Sequence, residues 1–248
     1  MKALHQETTP EKLAAIIRQS RRAVALTGAS ISVESGIPDF RSPGGLWERF
    51  NPMEYAHIRA FRADPAKVWQ LLKEMDATIT QARPNPAHLA LAELEARGLL
   101  IGVITQNVDN LHQAAGSKNV IEYHGNALRF VCLNCQRPFA RESLDFAAAP
   151  LYCACGGLIK PDVVFFVEAI PLEAQVAAQN LAATCDLMLI IGTSGEVAPA
   201  NFLPQIAKSN GAVIVENNLG PSHLTYTITD HLLLGPAGEM WPHVLTAL

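Results

Sequence analysis

The stretch VALTGASISVESGIPDFR, residues 24–41, opens on a short apolar run that stops at Gly28. Small and hydroxyl residues follow, and then Pro38-Asp39-Phe40-Arg41. An apolar strand that ends in glycine and hydroxyls suits a nucleotide-binding turn, because small residues let the backbone approach phosphate. The dinucleotide fingerprint Gly-x-Gly-x-x-Gly nevertheless fails, since its second glycine position holds Ser30 and its third Val33. The turn has the order of an α/β protein without the usual dinucleotide pattern.

The same strand-then-small-residue punctuation recurs. Buried strands are expected over 23–27, 101–105, 120–123, 187–191, 212–216 and 231–234, with helices over 10–18, 65–80, 86–97, 108–115, 172–183, 200–209 and 238–245. Continuous apolar strands alternating with helices predict a parallel sheet covered on both faces. The 130–157 segment carries four of the five cysteines and breaks this rhythm, so it reads as an insertion.

The 248 residues permit one large domain, or one domain with an insertion. The net charge of −4 gives no basic footprint for nucleic acid, and the apolar runs are strand-sized rather than membrane-spanning. The N-terminus lacks an apolar leader followed by a small-residue cleavage site, and an odd cysteine count suits a reducing compartment. A cytoplasmic protein without membrane or direct nucleic-acid partners, more a monomer than an oligomer, is expected.

In an open parallel sheet, ligands bind outside the carboxyl ends of the strands. The residues there are Gly28-Ala29-Ser30-Ile31-Ser32, Gln106-Asn107-Val108-Asp109, His124-Gly125-Asn126, Gly192-Thr193-Ser194-Gly195 and Asn217-Asn218. All these exits are small or polar, which predicts a ligand crevice, although loops are commonly polar for other reasons. Two glycine turns, at Gly28 and Gly192, suit a dinucleotide better than a mononucleotide.

Cys132-x2-Cys135, then 17 residues, then Cys153-x-Cys155 predicts a four-thiolate zinc site. Four protein ligands leave no open position, so the zinc is expected to be structural. Cys185, before an apolar strand, reads as a buried thiol. Among the eight histidines, His5, His57, His223 and His243 read as surface or turn residues, His88 as a cap or packing residue, and His112 as a structural hydrogen-bonding residue. His124 stands at a strand exit, where position alone leaves it between packing and general-base chemistry.

Taken in order, the blocks TGASISVESGIPDFRSPGGLW, PNPAHLALAELE, ITQNVDNLHQAAGS, HGN, the four cysteines, GGLIKPDVVFF, IIGTSGEVAPAN and GPAGE resemble the sirtuins, the NAD-dependent protein deacylases, of bacterial or archaeal type. The resemblance runs from about Val24 to the C-terminus. It implies a Rossmann-like parallel sheet with helices on both faces and a small zinc-binding domain inserted. The large domain would take approximately 1–35, 85–128 and 162–248. The small domain would take 36–84, its helical part, and 129–161, its zinc module, with NAD between the two. The long loop after Gly28 would then fold over NAD.

By that resemblance the cofactor is held by Gly28, Ala29, Ser32, Ile37, Asp39, Phe40, Arg41, Gln106, Asn107, Val108, Asp109, His124, Gly192, Thr193, Ser194, Asn218 and Ala237. Asp109 would hold the nicotinamide carboxamide and Asn107 would order the ribose region. The implied reaction starts with attack of the acyl-lysine oxygen on C1′ of the nicotinamide ribose as nicotinamide leaves. His124 then deprotonates a ribose hydroxyl, which attacks the acyl carbon, and water completes the transfer to give free lysine and O-acyl-ADP-ribose. An acetylated lysine-containing protein or peptide would lie as a strand along Val163, Val164, Phe165, Phe166 and Val167 on one side and Gly195, Glu196 and Val197 on the other. ADP-ribosyl transfer or NAD glycohydrolysis in the same pocket is the alternative, and an NAD-binding interaction protein with weakened catalysis is another.

Three positions depart from the family pattern: Ser30 and Val167 stand where glycine is usual, and Asn110 replaces a frequent glycine. Sirtuins that prefer succinyl or malonyl lysine carry a Tyr-x-x-Arg pair in the helix after the cofactor loop. Leu72 and Met75 occupy those positions here, which predicts an apolar acyl tunnel and removal of acetyl or longer neutral groups.

Overall fold

A computed structural model of the chain describes residues 5–40 and 45–248. Strand β1 is Gln6–Glu7 and β2 is Ala23–Thr27, with the helix Pro10–Gln19 between them. Thr9 accepts from the Lys12 N–H and Pro10 takes the first helical position, where no N–H bond is lost. The helices Pro65–Gln81 and Pro86–Ala96 precede β3 (Gly102–Thr105) and β4 (Val120–Glu122). The segment after β4 supplies β5 (Gly125–Cys132), β6 (Pro138–Ala140) and β7 (Ile159–Val163). The helix Leu172–Thr184 then leads to β8 (Leu187–Ile191), the helix Phe202–Ser209, β9 (Val213–Asn218), β10 (His231–Leu234) and the helix Ala237–Thr246.

Among the described residues one seven-stranded sheet has the order β1-β10-β9-β8-β2-β3-β4, parallel throughout. The chain leaves β2 toward β3 on one side and β8 toward β9 on the other. The gap beyond the carboxyl ends of β2 and β8 is therefore the topological switch point, where such sheets bind ligands. The strands are apolar on both faces because both faces are covered. Ala25, Val103 and Leu189 face a core with Leu13, Ile17, Leu91 and Trp241. Val24, Leu26, Ile104 and Met188 face the opposite core with Ala178, Ala182 and Leu203.

A smaller antiparallel sheet, β6-β5-β7, has its own core. Trp69, from the helix Pro65–Gln81, stacks on Phe130 at 6.5 Å and meets Phe146 edge-on at 5.7 Å. Phe61 meets Phe165 at 5.5 Å. The helical segment and the cysteine module thus share one apolar cluster.

Three sequence expectations are corrected. The loop after Gly28 holds a 3-10 helix, Ala29–Ser35, closed by Gly36 in the left-handed region. The helix expected over 108–115 is only Leu111–Ala114, because Asn110 takes φ 65° and the Asp109 carboxylate accepts from the Leu111 N–H. The connection between that loop and residue 65, within the 36–84 segment expected to be helical, holds three short helices, Leu46–Arg49, Pro52–Tyr55 and Ile58–Ala63. His57 is buried rather than on the surface, and its Nδ1 caps the last of these by accepting from the Arg59 N–H at 3.0 Å.

Candidate active site and cysteine cluster

The turns after β2 and β8 touch. A Cβ on Gly28 would lie 2.6 Å from the Thr193 Cβ, and one on Gly192, at φ +65°, would lie 2.5 Å from the Ile31 nitrogen. Both glycines are required by this contact. Ser30, half-buried, donates its N–H to the Gly192 carbonyl at 3.0 Å inside the 3-10 helix. A side chain fits there without left-handed backbone.

Beyond these turns lies a cavity of about 340 Å³. Gly28, Ala29, Asp39 and Phe40 form one side, and Gly192, Thr193 and Ser194 another. Gln106, Asn107, Val108 and His124 close its floor, and residues 163–167 with Val197 wall its mouth. A recess of about 40 Å³ beside it is lined by Ser32, Ile37 and Asp109, and shares Asn107 and Val108 with the cavity. Asn218 and Ala237 line neither. Asn218 donates to the Thr193 carbonyl at 3.1 Å and to Glu216 Oε1 at 2.8 Å, while Ala237 is buried against the core. Gly195 and Glu196 flank the wall without lining the cavity. Arg41 lies outside the described residues. Sequence reasoning missed Tyr55, Ile170 and Asp76 in the lining, and Trp47, which stacks on Phe40 at 4.9 Å.

The polar centre is a chain of hydrogen bonds. Ser32 Oγ donates to Asp109 Oδ2 at 2.7 Å and accepts from Asn107 Nδ2 at 3.1 Å, which also donates to the Gly28 carbonyl. Asp109 is buried, and burial raises its carboxyl above the usual value even though Leu111 and Ser32 donate to it. Its two oxygens offer more lone pairs than these two bonds use, so it can accept from an amide NH2 in the recess. His124 Nδ1 lies 3.1 Å from the Gln106 carbonyl oxygen. A carbonyl only accepts, so Nδ1 carries the proton and Nε2 has a free lone pair. Burial lowers the His124 pKa, and the Gln106 bond opposes that only in part. A neutral imidazole with a fixed basic nitrogen can act as a general base.

Two further histidines lie beneath this centre. His88 completes a capping box with Asn85, and His112 Nε2 meets Thr27 Oγ at 2.9 Å. Their rings lie 4.8 Å apart. Burial drives His88 down to about 4, and burial with the neighbouring His88 drives His112 down to about 3. Both are neutral in the fold but charge at the ordinary value of 6.5 once unfolded. The unfolded chain therefore binds more protons below pH 6.5, and stability must fall as pH drops from there toward the folded values. Each pH unit costs about 1.4 kcal/mol per histidine. We expect unfolding by denaturant to show a loss of about 3–4 kcal/mol between pH 7 and pH 5 from this pair. Ring resonances of His88 and His112 that titrate above pH 6 would contradict it.

The mouth of the cavity is held by a buried lysine. Lys160 Nζ donates to the Val163 carbonyl at 2.5 Å and pairs with Glu168 Oε2 at 3.1 Å. That same Glu168 oxygen accepts from the Phe165 N–H at 2.9 Å. The Glu168 N–H returns to the Phe165 carbonyl at 3.0 Å, closing a four-residue turn with Val167 at φ +71° in its third position. That position wants glycine, and a β-branched residue there stores about 1–3 kcal/mol of strain. Val167→Gly should raise the unfolding free energy by about 1 kcal/mol, after the entropy that glycine adds to the unfolded chain. A denaturation midpoint that stays put or falls would contradict it.

The four sulfurs of Cys132, Cys135, Cys153 and Cys155 lie within 4.8 Å of one another. Cys132 to Cys155 is 3.5 Å and Cys135 to Cys153 is 3.7 Å. A tetrahedral thiolate site with bonds of about 2.3 Å has edges of about 3.8 Å, so the cluster fits zinc. Two tight turns build it, Gln136 N–H to the Cys132 carbonyl at 3.0 Å and Gly156 N–H to the Cys153 carbonyl at 2.8 Å. Cys185 is buried apart from them, as expected.

The Sir2 family model matches residues 28–199. The NAD-dependent protein deacylase 2 of Pyrobaculum aerophilum is 49% identical over 233 residues, 94% of this chain and 93% of that protein. An NAD-dependent protein deacetylase of Thermodesulfovibrio yellowstonii is 48% identical over 94% of this chain and 93% of its own length. The structure of a Sir2 homolog–NAD complex superposes with a TM-score of 0.91 at 41% identity, covering 98% of this chain and 95% of that one. The structure of a Sir2 protein with a deacetylated peptide and 3′-O-acetyl-ADP-ribose superposes with a TM-score of 0.90 at 36% identity, covering 96% and 98%. This chain belongs to the Sir2 family. Its fold is the family's parallel sheet with helices and a four-cysteine module. No helix among the described residues is long and apolar enough to cross a membrane.

Proposed function

We propose that this protein removes acetyl and other neutral acyl groups from lysine side chains of proteins, consuming NAD and releasing nicotinamide and O-acyl-ADP-ribose. The observation that carries this reading is His124, a half-buried imidazole whose only free nitrogen is basic, in the floor of a cavity shared with Asn107 and a turn-held wall. The names of the relatives, NAD-dependent protein deacylase and deacetylase, support it, as do the neighbours bound to NAD and to a deacetylated peptide. Zinc at the four cysteines would fix the module behind the wall.

Bound NAD would supply the electrophilic ribose carbon that takes up the acyl oxygen. The chain's own residues do the rest. Asp109 would accept from the carboxamide in the recess, and Ser32, itself held by Asn107, keeps that carboxylate in place. His124 Nε2 would take a proton from a ribose hydroxyl of bound NAD, while the Gln106 carbonyl keeps the ring oriented. Phe40 and Trp47, stacked on each other, shield the reacting centre from water. The peptide lies as a strand between residues 163–167 and 195–197, so that main-chain bonds give affinity with modest sequence demand. The acyl chain enters the apolar side formed by Leu71, Leu72 and Met75.

The test is the coupling of nicotinamide release to the acyl peptide. Release should be at background with NAD alone and rise on adding an acetyl-lysine peptide. Equal release with and without the peptide would overturn deacylation in favour of NAD glycohydrolysis.

A further inference from the structure

The helix Pro65–Gln81 places Leu72, Met75 and Asp76 on one face, at spacings of three and four residues. All three line the large cavity. Asp76 is the odd member, because a carboxylate on an apolar wall needs a partner. The partner comes from the cysteine module. Arg141, in the short 3-10 helix Arg141–Ser143, donates through Nε to Oδ1 at 2.6 Å and through Nη2 to Oδ2 at 2.5 Å. The Arg141 guanidinium also lies over the Phe146 ring at 5.1 Å, so it is held from two sides. The Asp76 side chain is only 12% exposed. Among the described residues the cavity lining contains three carboxylates, Asp39, Asp76 and Glu168, and no lysine or arginine.

We propose that Asp76 is a charge filter on the acyl group: fixed by Arg141, its carboxylate rejects malonyl-, succinyl- and other anionic acyl-lysines, and it masks a guanidinium that would otherwise bind them. The inference rests on the deacylase reading. An acyl carboxylate reaching this wall meets a negative charge already paired with the Arg141 guanidinium. Neutral chains meet Leu71, Leu72 and Met75 and are unaffected by sign. Removing the Asp76 carboxylate leaves room of the size of the group an anionic acyl chain would bring. Arg141 is already aligned for two-bond carboxylate recognition there. A pair that merely docked the helix on the module would alter all acyl substrates alike, so the ratio between substrates separates the two roles.

The experiment compares one peptide carrying acetyl-lysine or succinyl-lysine. It reads the succinyl-to-acetyl ratio of kcat/KM, and the same ratio of peptide affinities by calorimetry without NAD. Asp76→Ala should raise both ratios about tenfold or more, the worth of one new charge-assisted bond between the guanidinium and the acyl carboxylate. Asp76→Asn, which keeps the shape and removes the charge, should raise them less. Adding Arg141→Met to Asp76→Ala should return them toward the starting value. Unchanged ratios in both Asp76 variants would overturn the filter, and a rise that survives Arg141→Met would overturn the masked receptor. Absence of NAD-dependent acetyl removal by the unsubstituted protein would instead overturn the deacylase reading, and the affinity ratios would still decide the filter.

Discussion

His124→Ala should lower kcat/KM for NAD-dependent deacetylation by about 10²–10⁴, the usual worth of a positioned general base. The thermal midpoint should move little, because the half-buried His124 ring has one hydrogen bond, to the Gln106 carbonyl, and an edge contact with the Tyr123 ring. The pH profile carries the sign. The base works only when neutral, so activity must be full above its pKa and fall as pH drops through it. Burial depresses that pKa, so the acid limb should have its midpoint below the ordinary imidazole value of 6.5. Steady-state rates from pH 5 to 8 check this. An acid limb centred above 6.5, or a variant within threefold of the parent, would contradict the assignment.

The second large effect concerns the cysteines. The purified protein should carry one zinc per chain by atomic spectroscopy, and Cys132→Ala should lose it. Cys132 is buried, ends β5, and packs in the cluster that joins Trp69, Phe130 and Phe165. β5 begins at Gly125, next to His124, and β7 runs into the cavity wall at Val163. Loss of the metal should therefore loosen both the base and the peptide wall. A penalty of about 3 kcal/mol would lower the melting temperature by roughly 10 °C in a chain of this size. The parallel sheet has separate cores, so most of the helical circular dichroism should persist while activity is lost. A zinc-free protein with full activity and an unchanged melting temperature would refute this role.

The large sheet was readable from the sequence because its strands are buried on both faces and end in small residues. β2, β8 and β10 have the expected bounds. The rest was hidden for physical reasons. β1 has two residues at the sheet edge, too few for any periodicity. β7, Ile-Lys-Pro-Asp-Val, carries a proline and two charges, which only an edge strand tolerates. The helix Leu111–Ala114 starts late because Asp109 caps it from a loop, a choice made by side-chain geometry.

The same division holds in the site. The four cysteines were legible because residue type and spacing restrict their chemistry, whereas His124 and Asn107 stood out only as polar residues at strand exits and took their roles from the family resemblance. The structure brings His124 and Asn107 to one cavity and the four sulfurs to one cluster. The Asp76–Arg141 pair spans 65 positions, and no local pattern signals it. Val167 could be singled out from the family pattern alone, while its left-handed backbone emerges only from the turn pinned by Lys160 and Glu168.

The most direct test of the central claim is the fate of the acyl group. An acetyl-lysine peptide and NAD are incubated with the protein, and the products are quantified by mass spectrometry. Deacetylated peptide, nicotinamide and O-acetyl-ADP-ribose should appear in equal amounts. Deacetylated peptide accompanied by free acetate from the first turnover, with NAD intact, would contradict the account.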